Sequence, residues 1–248
     1  MNWLDPTPRS LVPGGLVVRF VGGTLWTEPC LDDSPLVVLL HGSGALADDL
    51  VPLVEMLSVP DAVRFALPAA PLPLPGAWVN RHAWWPLELD RHASLLAGPP
   101  GEMAAEAPAG LGAACDGVEA LLDALEPVIG IPPERVVIGG FSRGAVVATE
   151  VALRGGRPLA GLLLFSATFA RAEAWRALMR AARPLPVFLA HGRDDPFHPL
   201  RLAAQLRDEL TAAGNPVEWV ESDGGHAVAP VALARASIFL RRALARWT

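Results

Sequence analysis

Val136-Val137-Ile138-Gly139-Gly140-Phe141-Ser142-Arg143-Gly144-Ala145 is the stretch whose reading decides the fold. A β-branched apolar run leads into the pentapeptide Gly140-Phe141-Ser142-Arg143-Gly144, and a segment compatible with a helix, Ala145 to Leu153, follows. Strand, sharp turn and helix in that order form the context of a nucleophile elbow, in which a serine stands on a strained turn with its hydroxyl exposed. The glycines suit such a turn because the backbone must approach its neighbours closely. Ser142 is therefore the candidate nucleophile.

Apolar runs and helical patterns alternate on both sides of this stretch. Strands are predicted at Leu16 to Val21, Leu36 to Leu40, Val63 to Leu67, Leu162 to Phe165, Val187 to Ala190 and Val217 to Val220. Helices are predicted at Leu46 to Leu57, Ala114 to Val128, Ala172 to Ala182, Leu200 to Ala213 and Val231 to Trp247. Short apolar strands alternating with helices imply a mostly parallel sheet covered on both faces. Residues 1–248 read as a single domain, with no internal repeat and no linker. The rhythm breaks over 69–112, which is rich in Pro, Gly and Ala and holds Trp78, Trp84 and Trp85. A connection of that length between a strand and a helix reads as a functional loop or lid-like segment over the C-terminal sheet edge.

Composition narrows the function. The 248 residues are 52% hydrophobic and 19% charged, which suits a large buried core. With a net charge of -6 there is no basic surplus to hold a phosphate backbone, so nucleic acid is not an expected partner. The chain contains no Lys and no Tyr, so neither serves as a general base. Cys30 and Cys115 are too few for a disulfide framework or a zinc site. The N-terminus has no charged-then-apolar leader, and no apolar run reaches the length of a membrane span. A cytoplasmic protein without stable membrane insertion is expected, and the sequence leaves a homodimer open.

A serine hydroxyl needs a base and an orienter for that base. His226, in Asp223-Gly224-Gly225-His226 after the last strand, is the expected base. The orienter is expected after the preceding strand, in His191-Gly192-Arg193-Asp194-Asp195-Pro196, where Asp195 is favoured over Asp194 because the following Pro suits a tight turn. An oxyanion needs two hydrogen-bond donors. The backbone N–H groups of Arg143 and of Ser43, in His41-Gly42-Ser43-Gly44, are assigned to it, and His41 is expected to lock that loop by a hydrogen bond. Trp84 and Trp85 read equally as packing residues or as an apolar substrate-binding wall. His198 reads as a turn histidine at the surface. No cluster has metal-ligand spacing, so no metal and no cofactor are expected.

Leu39-Leu40-His41-Gly42-Ser43-Gly44, Gly140 to Ala145, His191 to Pro196 and Gly225-His226, in this order, resemble the phospholipase/carboxylesterase family of the α/β-hydrolase superfamily, which includes the acyl-protein thioesterases. The resemblance spans roughly Leu36 to Leu240 and implies an α/β-hydrolase fold with Ser142, Asp195 and His226 at the family's triad positions. It implies a serine esterase acting on a small-molecule ester or thioester through an acyl-enzyme. Two positions depart from the family: Arg143 stands where many members have Gln, and His198 where an apolar residue is usual. The alternatives are an acyl thioesterase, a dienelactone-hydrolase-like enzyme and, from a different class, a non-catalytic binding protein on the same scaffold. A dinucleotide fingerprint at Gly42-x-Gly44-x-x-Ala47 lacks the acidic residue expected after the next strand.

Overall fold

The computed structural model describes residues 16–21, 34–75, 81–86, 94, 96–98, 104–105, 107–154 and 156–246. Trp78, His92 and Cys30 lie outside the described residues. Among the described residues, seven strands form the main sheet: β1 (Val18–Val21), β2 (Leu36–Leu40), β3 (Arg64–Pro68), β6 (Val136–Phe141), β7 (Gly161–Phe165), β8 (Val187–Gly192) and β9 (Val217–Ser222). Their spatial order is β1-β3-β2-β6-β7-β8-β9. β1 runs antiparallel to β3, and every other neighbouring pair is parallel. Two short strands, β4 (Leu72–Pro73) and β5 (His82–Ala83), form a separate antiparallel ribbon inside the segment expected to be irregular.

The central strands are apolar at nearly every position because both faces of the sheet are covered. In β2, Leu36, Val38 and Leu40 point into one core, while Val37 and Leu39 point into the other. The first core takes side chains from α2 (Leu111–Ile129), α3 (Arg143–Arg154), α4 (Ala172–Ala181) and α5 (Leu200–Ala212). The second takes them from α1 (Val51–Glu55) and α6 (Pro230–Ala243). The layout is that of an α/β-hydrolase, with helices on both faces.

One predicted helix is divided. In place of a single helix over Leu46 to Leu57 there is a 3-10 turn, Ala47–Leu50, followed by the short α1. Pro52 lies in the first turn of α1. It lacks an amide hydrogen and its ring crowds the preceding turn, so it is favoured in the first turn of a helix and costly in the interior.

Candidate active site

Every expected site residue outside the tryptophan pair lies just beyond the C-terminal end of a parallel strand. His41 to Gly44 follow β2, Ser142 follows β6, Asp195 follows β8 and His226 follows β9. Ser142 has φ 57°, a left-handed conformation that costs a non-glycine residue energy and is held by its surroundings. Its N–H donates to the Phe165 carbonyl at 3.0 Å, and its own carbonyl accepts from Ala145 and Val146 in the first turn of α3. The flanking glycines are required by space. A Cβ on Gly140 would stand 2.4 Å from the Gly144 carbonyl carbon, and one on Gly144 would stand 2.3 Å from the Leu40 oxygen.

His226 Nε2 lies 2.8 Å from Ser142 Oγ, and its Nδ1 lies 2.6 Å from Asp195 Oδ2. The other Asp195 oxygen, Oδ1, accepts the N–H groups of Phe197 and His198 at 2.9 and 2.8 Å. Burial works to raise the Asp195 pKa, but the His226 hydrogen bond, the two backbone donors and the His226 charge outweigh it, so the carboxyl sits below its usual range. The carboxylate therefore accepts, Nδ1–H donates, and Nε2 is left to accept the Ser142 proton. Asp194 is exposed, and its side chain takes no part in this line. The loops bearing acid and base meet at Gly192, where a Cβ would lie 2.2 Å from the Gly225 oxygen.

Three rings enclose His226. Phe141, Phe197 and His198 have ring centroids 4.8, 5.2 and 5.2 Å from the imidazole. His198 is buried, contrary to the expectation of a surface turn histidine. The hydrogen bonds from its backbone N–H to Asp195 and from its Nδ1–H to the Ser166 carbonyl, 2.7 Å, draw it inward. Burial and the neighbouring His226 charge push its pKa down to about 3, so it is neutral. His191 donates from Nε2 to the His198 carbonyl at 2.7 Å, and burial holds its pKa below the usual value. Sequence reasoning did not select His191, His198 or Phe197 for the site. Position within the acid loop was the available signal.

Gly42 packs on the nucleophile, since a Cβ there would lie 3.4 Å from the Ser142 Cβ. Ser43 is the next residue, and Arg143 opens α3, so the two assigned oxyanion donors flank Ser142. Trp85 is buried and carries the Arg143 guanidinium 4.9 Å above its ring. Trp84 is 1% exposed. Among the described residues, no group of three or more His, Cys, Asp or Glu is arranged to hold a metal ion.

The phospholipase/carboxylesterase family model matches residues 27–244. The chain belongs to the phospholipase/carboxylesterase family. Acyl-protein thioesterase 1 of Mycosarcoma maydis is 31% identical over 223 residues, covering 79% of this chain and 86% of that protein. Acyl-protein thioesterase 1 of Gibberella zeae is 32% identical over 119 residues, covering 46% of this chain and 51% of the relative, so the chain matches about half of that protein's length. The crystal structure of esterase PE8 superposes with a TM-score of 0.75 at 30% identity, over 92% of this chain and 99% of that one. Membership in this family makes the chain a carboxylic ester hydrolase.

Proposed function

We propose that this hydrolase works through a serine acyl-enzyme, with Ser142 as nucleophile, His226 as general base and then acid, and Asp195 as the group that orients His226. The observation that carries this reading is the unbroken hydrogen-bonded line from Ser142 Oγ through both nitrogens of His226 to Asp195. Ser142 Oγ attacks the ester carbonyl while its proton passes to His226 Nε2. The tetrahedral oxyanion is held by the N–H groups of Ser43 and Arg143. As it collapses, the bond from carbonyl carbon to leaving oxygen breaks, and the leaving group takes the proton from Nε2. Water then repeats both steps on the acyl-enzyme and restores Ser142.

The substrates are small esters or thioesters, because the same steps release an alcohol or a thiol. Similarity to proteins named acyl-protein thioesterase 1 favours the thioester as the second reading. Trp85, beside the residue that follows the nucleophile, supplies an apolar wall for the acyl group. Among the described residues no helix is long and apolar enough to cross a membrane. The buried free thiol Cys115, raised to about 12 chiefly by burial, is an inert thiol suited to a reducing compartment, which favours the cytoplasm.

The test is Ser142→Ala against p-nitrophenyl esters and acyl thioesters of graded length. Activity on both series should fall by at least about 10⁴-fold with the thermal transition retained. Near-native turnover by the variant would overturn the reading.

A further inference from the structure

The loop His41 to Ala45 has to hold the Ser43 N–H still, yet glycines flank Ser43 on both sides and have no side chains with which to anchor it. Its anchors are Ala70, His82 and Trp84. The Trp84 indole N–H donates to the His41 carbonyl at 2.7 Å. The Ala70 N–H donates to His41 Nε2 at 2.9 Å, which leaves the ring proton on Nδ1, and Nδ1–H donates to the Gly42 carbonyl at 2.7 Å. His82 closes the circuit from the other side. Its Nδ1–H donates to the Ala70 carbonyl at 2.7 Å, its carbonyl accepts the Gly44 N–H at 2.9 Å, and its N–H donates to the Ala45 carbonyl at 3.2 Å. The backbone is thus tied down immediately before and immediately after Ser43.

The same circuit reaches the nucleophile. The His41 carbonyl that receives the indole N–H also faces the start of α3, where a Cβ on Gly144 would come within 2.5 Å of it. Trp84 and His41 are 1% and 0% exposed, so Trp84 presents no face to an acyl chain, and both ends of its contact are shielded from water. Burial lowers the His41 pKa, in keeping with a neutral ring that accepts at Nε2.

We infer that Trp84 and His82 are positioning residues for the oxyanion loop, holding the Ser43 N–H in place through the His41 and Gly44 backbone, and that Trp84 is not part of the substrate wall. This rests on the serine-hydrolase reading above. Ground-state binding makes little use of the oxyanion donors, whereas the tetrahedral intermediate depends on them. Loosening the loop should therefore lower kcat and leave KM in place.

The experiment compares Trp84→Phe and His82→Ala with the wild-type chain. It measures kcat and KM on a p-nitrophenyl ester, the inhibition constant of an aryl trifluoromethyl ketone and the thermal midpoint. The ketone adds a serine hydroxyl to form a tetrahedral oxyanion, so its affinity reports on the donors. Each variant should lose about ten-fold in kcat and about ten-fold in ketone affinity, with KM within about two-fold. Should Trp84→Phe fail to fold, His82→Ala decides, since it leaves the indole in place. Unchanged kcat and ketone affinity, or a loss confined to KM, would overturn the clamp and return Trp84 to packing or to the substrate wall. A wild-type chain that neither hydrolyses the ester nor binds the ketone would overturn the serine-hydrolase reading and the clamp with it.

Discussion

Asp194 and Asp195 are adjacent in the chain and differ in their surroundings. Asp195 has one oxygen on His226 and the other on two backbone N–H groups, whereas Asp194 faces solvent. Asp195→Asn keeps the shape, but its amide nitrogen cannot accept from His226 Nδ1–H, and kcat should fall by about 10⁴-fold while Asp194→Asn stays within about two-fold. Steady-state kinetics of the two variants check this, and the reverse ranking would remove Asp195 from its proposed role. At this scale, Ser142, Asp195 and His226 were legible because each sits in a short motif at a strand end. His198 was not, because a histidine in a proline-containing turn, between Phe197 and Pro199, carries no mark of burial. Only the fold reveals that the Asp195 carboxylate and the Ser166 carbonyl both bind it. His82 was hidden for a similar reason: its partner, Ala70, is apolar and offers only backbone atoms.

The elbow is an element built on close approach. Gly144 lies against the carbonyls of Leu40 and His41, so β2, β6 and α3 meet there with no space for a methyl group. Gly144→Ala should destabilise the protein by about 2–3 kcal/mol, the upper part of the range for forcing extra atoms into a packed interior, or prevent folding. Urea unfolding measures it, and a variant as stable as the parent would contradict the geometry. Most elements were legible from periodicity: the strands at 36–40 and 161–165 are apolar throughout and fully buried, as a doubly covered parallel sheet demands. The exceptions have local causes. Pro52 divides a helix whose apolar spacing looked continuous. The ribbon of β4 and β5 has only two residues per strand, too few for a period to register.

Across the whole molecule, His41, His191 and His198 are buried and neutral, and burial is the largest cause of their lowered pKa values. Unfolding returns each to the ordinary value of 6.5, where it takes up a proton. The unfolded chain therefore binds more protons below that value, and stability falls as pH drops from about 6.5 toward the folded values, by up to about 1.4 kcal/mol per pH unit for each histidine. For His198 the window extends down to about 3. Asp195 adds to the loss lower down, because its depressed pKa contributes stability that disappears as pH falls below the unfolded carboxylate range. The urea midpoint should be lower at about pH 5 than at about pH 7.5, and His198→Val should flatten the difference. Equal midpoints at both values would show that these rings are not held neutral. None of this was legible from composition, since six histidines in 248 residues are unremarkable until three are found in the interior.

The chemistry proposed for the molecule comes to a single atom, Ser142 Oγ, made reactive by a ring 2.8 Å away. Treatment with a fluorophosphonate, followed by peptide mass spectrometry, reads that atom directly. One adduct per chain, located on Ser142, absent from Ser142→Ala and greatly slowed in His226→Ala, is the predicted result. An active enzyme that takes up no adduct, or takes it up at another residue, would contradict it.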